Sequence, residues 1–286
     1  MSINANYELL IKTIQGIDEV IAIGKSGGEQ LPVKNENDID NVIDNNNDID
    51  SVFDNDNDID IFIFCNKVPD MKTRQAAVNQ LGNAVLKMTI SDSGGKFWGV
   101  CDFVFIKDME ICLMYFTVSD MNNEIETVLN GSRLEREDEY FYPAGRCATF
   151  LSMYILYDKM GYISNMQNKL SEYPPKLAEK MIEHHIKKLS NDEDFERAVS
   201  RSDVLFYHAT LGNAIDHFLQ ALFAINRCYF PSRKRSLQFI EKFKQRPADC
   251  SARLLEAIKM GASENTLAQS YEIWSSLCRD LSKTSM

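Results

Sequence analysis

The chain has 286 residues, 44% of them apolar, enough for one large packed domain or two ordinary ones and too many for a disordered polypeptide. Its formal charge of −11 is concentrated: residues 36 to 60 hold ten of the 42 acids and no Lys or Arg, leaving 32 acids to face 31 bases elsewhere. The body is therefore near neutral, which excludes the broad basic surface of a non-specific nucleic-acid binder. Seven cysteines (Cys65, Cys101, Cys112, Cys147, Cys228, Cys250, Cys278) form no CxxC pair, as expected in a reducing cytoplasm. MSINANYELL lacks a basic n-region, and no apolar run approaches the roughly 18 residues of a membrane span, so the expectation is a cytoplasmic protein without a membrane segment.

Leu9, Leu10, Ile11 and Ile14 fall at helical spacing and predict a helix from Tyr7 to about Gln15. Glu19 to Ile23 reads as a short buried strand ending at Gly24, followed by the glycine-rich turn Gly24-Lys25-Ser26-Gly27-Gly28. Between Asn37 and Asn66 nearly the same ten residues occur three times, as NDIDNVIDNN, NDIDSVFDND and NDIDIFIFCN, and only the last copy enters a continuous apolar strand, Ile59 to Cys65. A helix from about Met71 to Met88 follows, then strands Phe97 to Ile106 and Ile111 to Val118. From about Tyr142 the pattern is amphipathic helix: Arg146 to Met160, Pro174 to Lys188, Phe195 to Cys228, Lys234 to Phe243, Ala252 to Met260 and a last one to about Leu281, with Pro231 as a stop. The prediction is an α+β domain over residues 1–130 and an all-α domain over 131–286.

In the last repeat copy, period two puts Asp58, Asp60, Phe62 and Phe64 on one strand face and Ile59, Ile61 and Ile63 on the other. Two carboxylates side by side ionise readily only if a cation neutralises them, and a hard divalent ion such as Mg²⁺ suits the pair. Asp102 sits within the apolar run Val100-Cys101-Asp102-Phe103-Val104, where a carboxylate needs a charged partner or a metal. If that strand neighbours Asp58 to Phe64, three carboxylates converge. The Gly24 to Gly28 turn follows a strand and can offer backbone N–H groups to phosphates. The spacing from Asp54 to Asp60 lacks the glycine and closing glutamate of a calcium loop. His184, His185, His208 and His217 form no metal motif, and Phe218, Leu222 and Ile225 read as core. Arg133, Arg146, Arg227 and Lys234 are cations of the helical half able to meet phosphate.

A strand, a Gly/Ser turn, a strand-borne Asp-x-Asp and a later strand-borne Asp together resemble the polymerase-β-like nucleotidyltransferase superfamily, which includes antibiotic-modifying adenylyltransferases. The first repeat copy, Asp38-Ile39-Asp40, has the family's spacing from Gly27-Gly28 but no following strand, whereas the third has the strand and exceeds the spacing by twenty residues. Deleting residues 38–57 leaves AIGKSGGEQLPVKNENDIDIFIFC, which meets both conditions, so residues 38–57 read as a tandem-duplicated acidic loop. Tyr207-His208 through Lys234 is similar to a helical domain of unassigned function found after such domains in bacteria. Together the resemblances span about residues 18 to 245 and imply a nucleotidyltransferase-type mixed sheet with flanking helices, then an all-α domain.

The resemblance further implies two Mg²⁺ ions on Asp58, Asp60 and Asp102, and ATP or another NTP as nucleotide donor. Gly24, Lys25, Ser26, Gly27 and Gly28, with Arg146, Arg227 and Lys234, would meet its phosphates. A hydroxyl of an unidentified acceptor would receive the nucleotide, with release of pyrophosphate, and a homodimer is compatible with the pattern. Lys25 departs from the family by separating Gly24 from Ser26. The alternative implied by the same resemblance is an inactive nucleotide- or metal-binding relative acting as a regulatory or antitoxin-type protein.

Overall fold

The structure, a computed structural model, describes residues 3–26, 58–91, 94–95, 97–107, 109–138, 141–189 and 192–284. In chain order the elements are α1 (Ile3–Gln15), β1 (Val20–Ser26), β2 (Asp58–Cys65), α2 (Met71–Asn79), β3 (Val85–Thr89), β4 (Gly94–Gly95), β5 (Gly99–Ile106), β6 (Met109–Thr117) and α3 (Val118–Leu129). They continue with α4 (Pro143–Ser152), β7 (Tyr154–Asp158), α5 (Tyr162–Leu170), α6 (Pro175–Lys188), α7 (Glu193–Ser200), α8 (Val204–Ile225), α9 (Ser236–Lys242), α10 (Cys250–Met260) and α11 (Leu267–Thr284). The chain forms two compact units, one of Met1–Glu126 with Thr149–Glu172, the other of Thr127–Ala148 with Tyr173–Met286.

The first unit is an α+β layer around a seven-stranded sheet of order β3-β5-β6-β2-β1-β7, with β4 on β5. β2 runs parallel to β6, and the other pairings are antiparallel. Alternation decides what each face does. Ile59, Ile61, Ile63 and Cys65 of β2, Ile111, Leu113 and Tyr115 of β6, and Val104 and Ile106 of β5 pack with Leu10, Ile14 and Ile17 from the α1 region and with Ala77 and Val78 of α2. Each such burial contributes roughly 1.5–3 kcal/mol. On the other face Phe64 stacks 5.1 Å from Phe150 and lies 5.1 Å from Tyr162, while Phe62 stacks 5.7 Å from Phe116.

Three elements differ from the sequence expectation. The helix from Met71 stops at Asn79 because Gly82 takes φ +56°, and residues 85–89 then join the sheet against β5. The helix expected to reach Met160 ends at Ser152, and Tyr154-Ile155-Leu156-Tyr157-Asp158 becomes the edge strand β7 on β1. Pairing with an open strand edge outweighs helical periodicity there. Residues 149–172 thus return to the first unit, so the partition differs from a single boundary at 130/131. The long helix expected from Phe195 is divided by Ser202 at φ +53° and by Asp203, whose carboxylate caps α8 by accepting the Phe206 N–H at 2.9 Å.

The second unit is all helical. Phe218, Leu222 and Ile225 of α8 are buried with Trp274, Leu277 and Leu281 of α11, Phe195 of α7 and Leu254 of α10. Gly145 lies where a Cβ would come 2.5 Å from the Pro231 carbonyl oxygen, so the chain after α8 packs directly on the α4 backbone. No helix among the described residues is long and apolar enough to cross a membrane.

Residues 38–57, read from the sequence as an inserted acidic loop, lie outside the described residues, between β1 and β2, whose ladder pairs Ser26 with Asp60. Deleting 38–57 should leave the circular dichroism spectrum unchanged and raise unfolding stability in urea by about 1 kcal/mol, the entropy difference for a roughly threefold shorter loop. A deletion variant that does not fold would contradict the reading of 38–57 as a passive insertion.

Candidate active site

β2 carries Asp58 and Asp60 exposed on the face opposite its buried isoleucines. Their Cα atoms are two residue rises apart, about 7 Å. In register across the sheet, Asp60 is level with Ser26 of β1 on one side and with Cys112 of β6 and Phe103 of β5 on the other. Asp58 is level with Glu110 of β6, followed by Phe105 of β5 and Lys87 of β3, whose ammonium sits 5.4 Å from the Phe105 ring. One face therefore brings together two aspartates, a glutamate, a serine and a thiol. The hydrogen bond to Cys101, then burial and the Asp60 and Glu110 carboxylates, push the Cys112 thiol up.

The structure places the glycine-rich segment differently from the expected turn. Gly24, Lys25 and Ser26 are the end of strand β1. Gly24 faces inward, where an added Cβ would lie 2.1 Å from the Met153 sulfur, so its lack of a side chain serves packing. Lys25 is level with Ile61, on the opposite face from Asp60, and is buried. Only Ser26 of these three stands beside the carboxylates. Gly27 and Gly28 lie outside the described residues.

Asp102 corrects the expected triad. It is level with Leu113 and thus with Ile61, so it points to the helix-covered face, away from Asp58 and Asp60. There it is fully buried in an ion pair with Arg74 of α2, whose Nη1 donates to Oδ1. The Ser91 N–H donates to the same oxygen at 2.9 Å. The Arg74 Nη2 donates to the Ser91 carbonyl at 2.6 Å, its Nε to the Pro69 carbonyl at 3.0 Å, and its guanidinium lies 5.3 Å from the Tyr115 ring. Burial holds the Asp102 pKa above the usual carboxylate range, although the hydrogen bonds from Arg74 and Ser91 oppose the rise. Its Oδ2 has no hydrogen-bond partner among the described residues. A carboxylate so engaged ties α2 to β5.

Among the described residues, no group of three or more His, Cys, Asp or Glu side chains is arranged to hold a metal ion. Asp102, on the opposite face, adds no third carboxylate to Asp58 and Asp60. Arg74 and Glu110 are residues the sequence reading missed, and lateral register, which no single strand encodes, is what would have found Glu110.

The other cations named from sequence belong to the helical unit. Arg146 is buried with its guanidinium 5.3 Å from the Phe141 ring, whereas Arg227 and Lys234 are exposed, Arg227 at φ +54° just past α8. This unit has its own polar centre. Buried Asp216 accepts from the Tyr142 hydroxyl at 2.7 Å, from Arg233 Nε and Nη2, the latter at 2.6 Å, and pairs with Arg136 Nη1 at 2.9 Å. Beside it, His185 Nε2 lies 2.9 Å from the Leu134 carbonyl and its Nδ1 2.9 Å from Nδ1 of His217. The carbonyl requires Nε2–H on a neutral His185, so its Nδ1 accepts from His217. Burial, with His217 nearby, pushes His185 down to about 3, and burial lowers His217 too.

Fold and site thus define an α+β protein with an acid-bearing sheet face and a separate helical unit. A family model described as a domain of unknown function (DUF4037) matches residues 142–235, less than half of the chain. Among solved structures, a nucleotidyltransferase-like protein from Exiguobacterium sibiricum 255-15 is similar at 11% identity and a TM-score of 0.43, over 98% of this chain and 72% of that one. No curated protein matches.

Asp102→Ala should destabilise the fold by about 3–5 kcal/mol in urea unfolding, because it strands the Arg74 charge in the core, while Asp60→Ala should stay within about 0.5 kcal/mol. Equal effects would contradict the separation of their roles. The two depressed histidines give a second expectation. Below the unfolded histidine pKa of about 6.5 the unfolded chain binds protons that the folded one does not. Stability should therefore be complete above that pH and fall on acidification, by up to about 1.4 kcal/mol per pH unit per histidine. Urea midpoints from pH 7.5 to 5.0 should show this slope, and His185→Gln should flatten it.

Proposed function

We propose that the chain is a Mg²⁺-dependent nucleotidyltransferase that moves a nucleoside monophosphate, AMP from ATP in the first instance, to a hydroxyl of a small-molecule or macromolecular acceptor and releases pyrophosphate. The observation that carries the reading is the exposed pair Asp58 and Asp60 on one face of a strand whose other face is core. Such a pair suits a divalent ion shared with triphosphate oxygens. When bound, that ion would supply charge neutralisation at the transferred phosphate.

Of this chain's own groups, Ser26 stands level with Asp60 and is the side chain of the segment proposed to meet phosphate that lies beside the carboxylates. Glu110, level with Asp58, is the carboxylate we assign to receive the acceptor's proton. Asp102 is instead held in the buried ion pair with Arg74 on the opposite face. Arg227 and Lys234 remain proposed contacts to phosphate or an anionic acceptor, whereas Arg146 is buried and the least accessible of the three.

The place of Asp102 on the opposite face favours one second reading, a relative that binds nucleotide without turnover and acts as a regulatory or antitoxin-type partner. Pyrophosphate release from labelled NTPs with Mg²⁺, across aminoglycosides, lincosamides, tRNA and protein acceptors, separates the two. Transfer is expected from the wild type, lost in Asp58→Ala and Asp60→Ala, and reduced roughly 10²-fold in kcat in Glu110→Gln with little change in the KM for ATP. Full activity in either aspartate variant would remove the assignment. Nucleotide binding without transfer to any acceptor would establish the second reading.

A further inference from the structure

Five of the seven cysteines, Cys65, Cys147, Cys228, Cys250 and Cys278, are buried. The two that are partly exposed, Cys101 and Cys112, are neighbours. β5 and β6 pair Cys101 with Met114 and Phe103 with Cys112, so the thiols are diagonal to each other on one face. A hydrogen bond joins them, and Cys101 Sγ is also 3.1 Å from the Trp98 carbonyl oxygen. That face is the one bearing Asp60, because Cys112 is level with Asp60 on β2, one strand spacing or about 4.8 Å away.

We infer that Cys101 and Cys112 form a thiol–disulfide site: a hydroperoxide joins them, and the cross-strand bond weakens metal–nucleotide binding at Asp58 and Asp60. The first half stands on the thiol geometry alone; the second rests on the proposed function. In the oxidation one sulfur attacks a peroxide oxygen, the O–O bond breaks, and a sulfenic acid and one molecule of water or alcohol form. The second sulfur then displaces the sulfenic oxygen as water. Two thiol protons and two electrons pass to the peroxide, and one S–S bond is left. Diagonal neighbours are farther apart than directly opposed ones, so closing this bond shifts the backbone of β5 and β6 locally and displaces Cys112 relative to Asp60. Exposed, strained disulfides are the readily reduced ones, which makes the change reversible by thiols.

The test uses the full chain treated with stoichiometric hydrogen peroxide. The expected product is lighter by two hydrogens, and trypsin cleavage after Lys107 should leave two peptides linked through Cys101 and Cys112 and separable by dithiothreitol. An unchanged protein, oxygen added to one cysteine without a link, or linkage through another cysteine would overturn the site. Binding of a fluorescent ATP analogue with Mg²⁺ should weaken roughly tenfold on oxidation, recover with dithiothreitol, and be insensitive to peroxide in Cys101→Ser. Equal binding by linked and reduced protein would overturn the control of the site. If neither form binds nucleotide, the proposed function and the control fall together, while the disulfide is judged by mass alone.

Discussion

A strand that buries Ile59, Ile61 and Ile63 against helices has no freedom about Asp58 and Asp60: period two turns both carboxylates to the other side. That constraint orders the neighbouring strands as well. Slipping β2 by one residue would drive both carboxylates into the core and expose three isoleucines, so the register is held by a penalty of several side-chain transfers. The parallel pairing of β2 with β6 then decides which β6 residues share the acidic face, and the antiparallel pairing of β6 with β5 decides the same for β5. Glu110, Cys112, Cys101 and Phe103 stand where they do because three strands keep step.

The Arg74–Asp102 pair answers a different need. β5 brings an aspartate to the covered face, and burying a lone carboxylate there is costly. α2 supplies the guanidinium, and the guanidinium in turn binds the Ser91 and Pro69 carbonyls. One side chain thereby secures Pro69 ahead of α2 and Ser91 just after β3. In the helical unit Asp216 does comparable work, with Tyr142, Arg136 and Arg233 drawn onto it from three stretches of chain.

Much of this was legible in the sequence because its determinants are local. The isoleucine–aspartate alternation of residues 58–63 locates β2 and its exposed carboxylates, and the apolar spacing of α8 and α11 marks the helical core. What was hidden depends on partners distant in sequence. Tyr154 to Asp158 is a strand because β1 offers an edge, and nothing within those five residues says so. Asp102 reads as a ligand in isolation, and only the lateral register and Arg74, 28 positions earlier, turn it to the other face. Gly24 looks like part of a phosphate-binding turn, while its neighbour Met153 makes it a packing position.

The β1–β2 ladder also has an evolutionary consequence. Because Ser26 and Asp60 face each other across one strand spacing, the connection between the two strands begins and ends at points fixed by hydrogen bonds. Its span is set by the sheet and its length is not. A gene encoding near-identical ten-residue units at such a place can gain or lose copies by slippage, each doubling of the loop costing only about 0.6 kcal/mol. The copy adjoining β2 is one that selection on the fold can hold, since its Asp58 and Asp60 stand on a strand of the sheet.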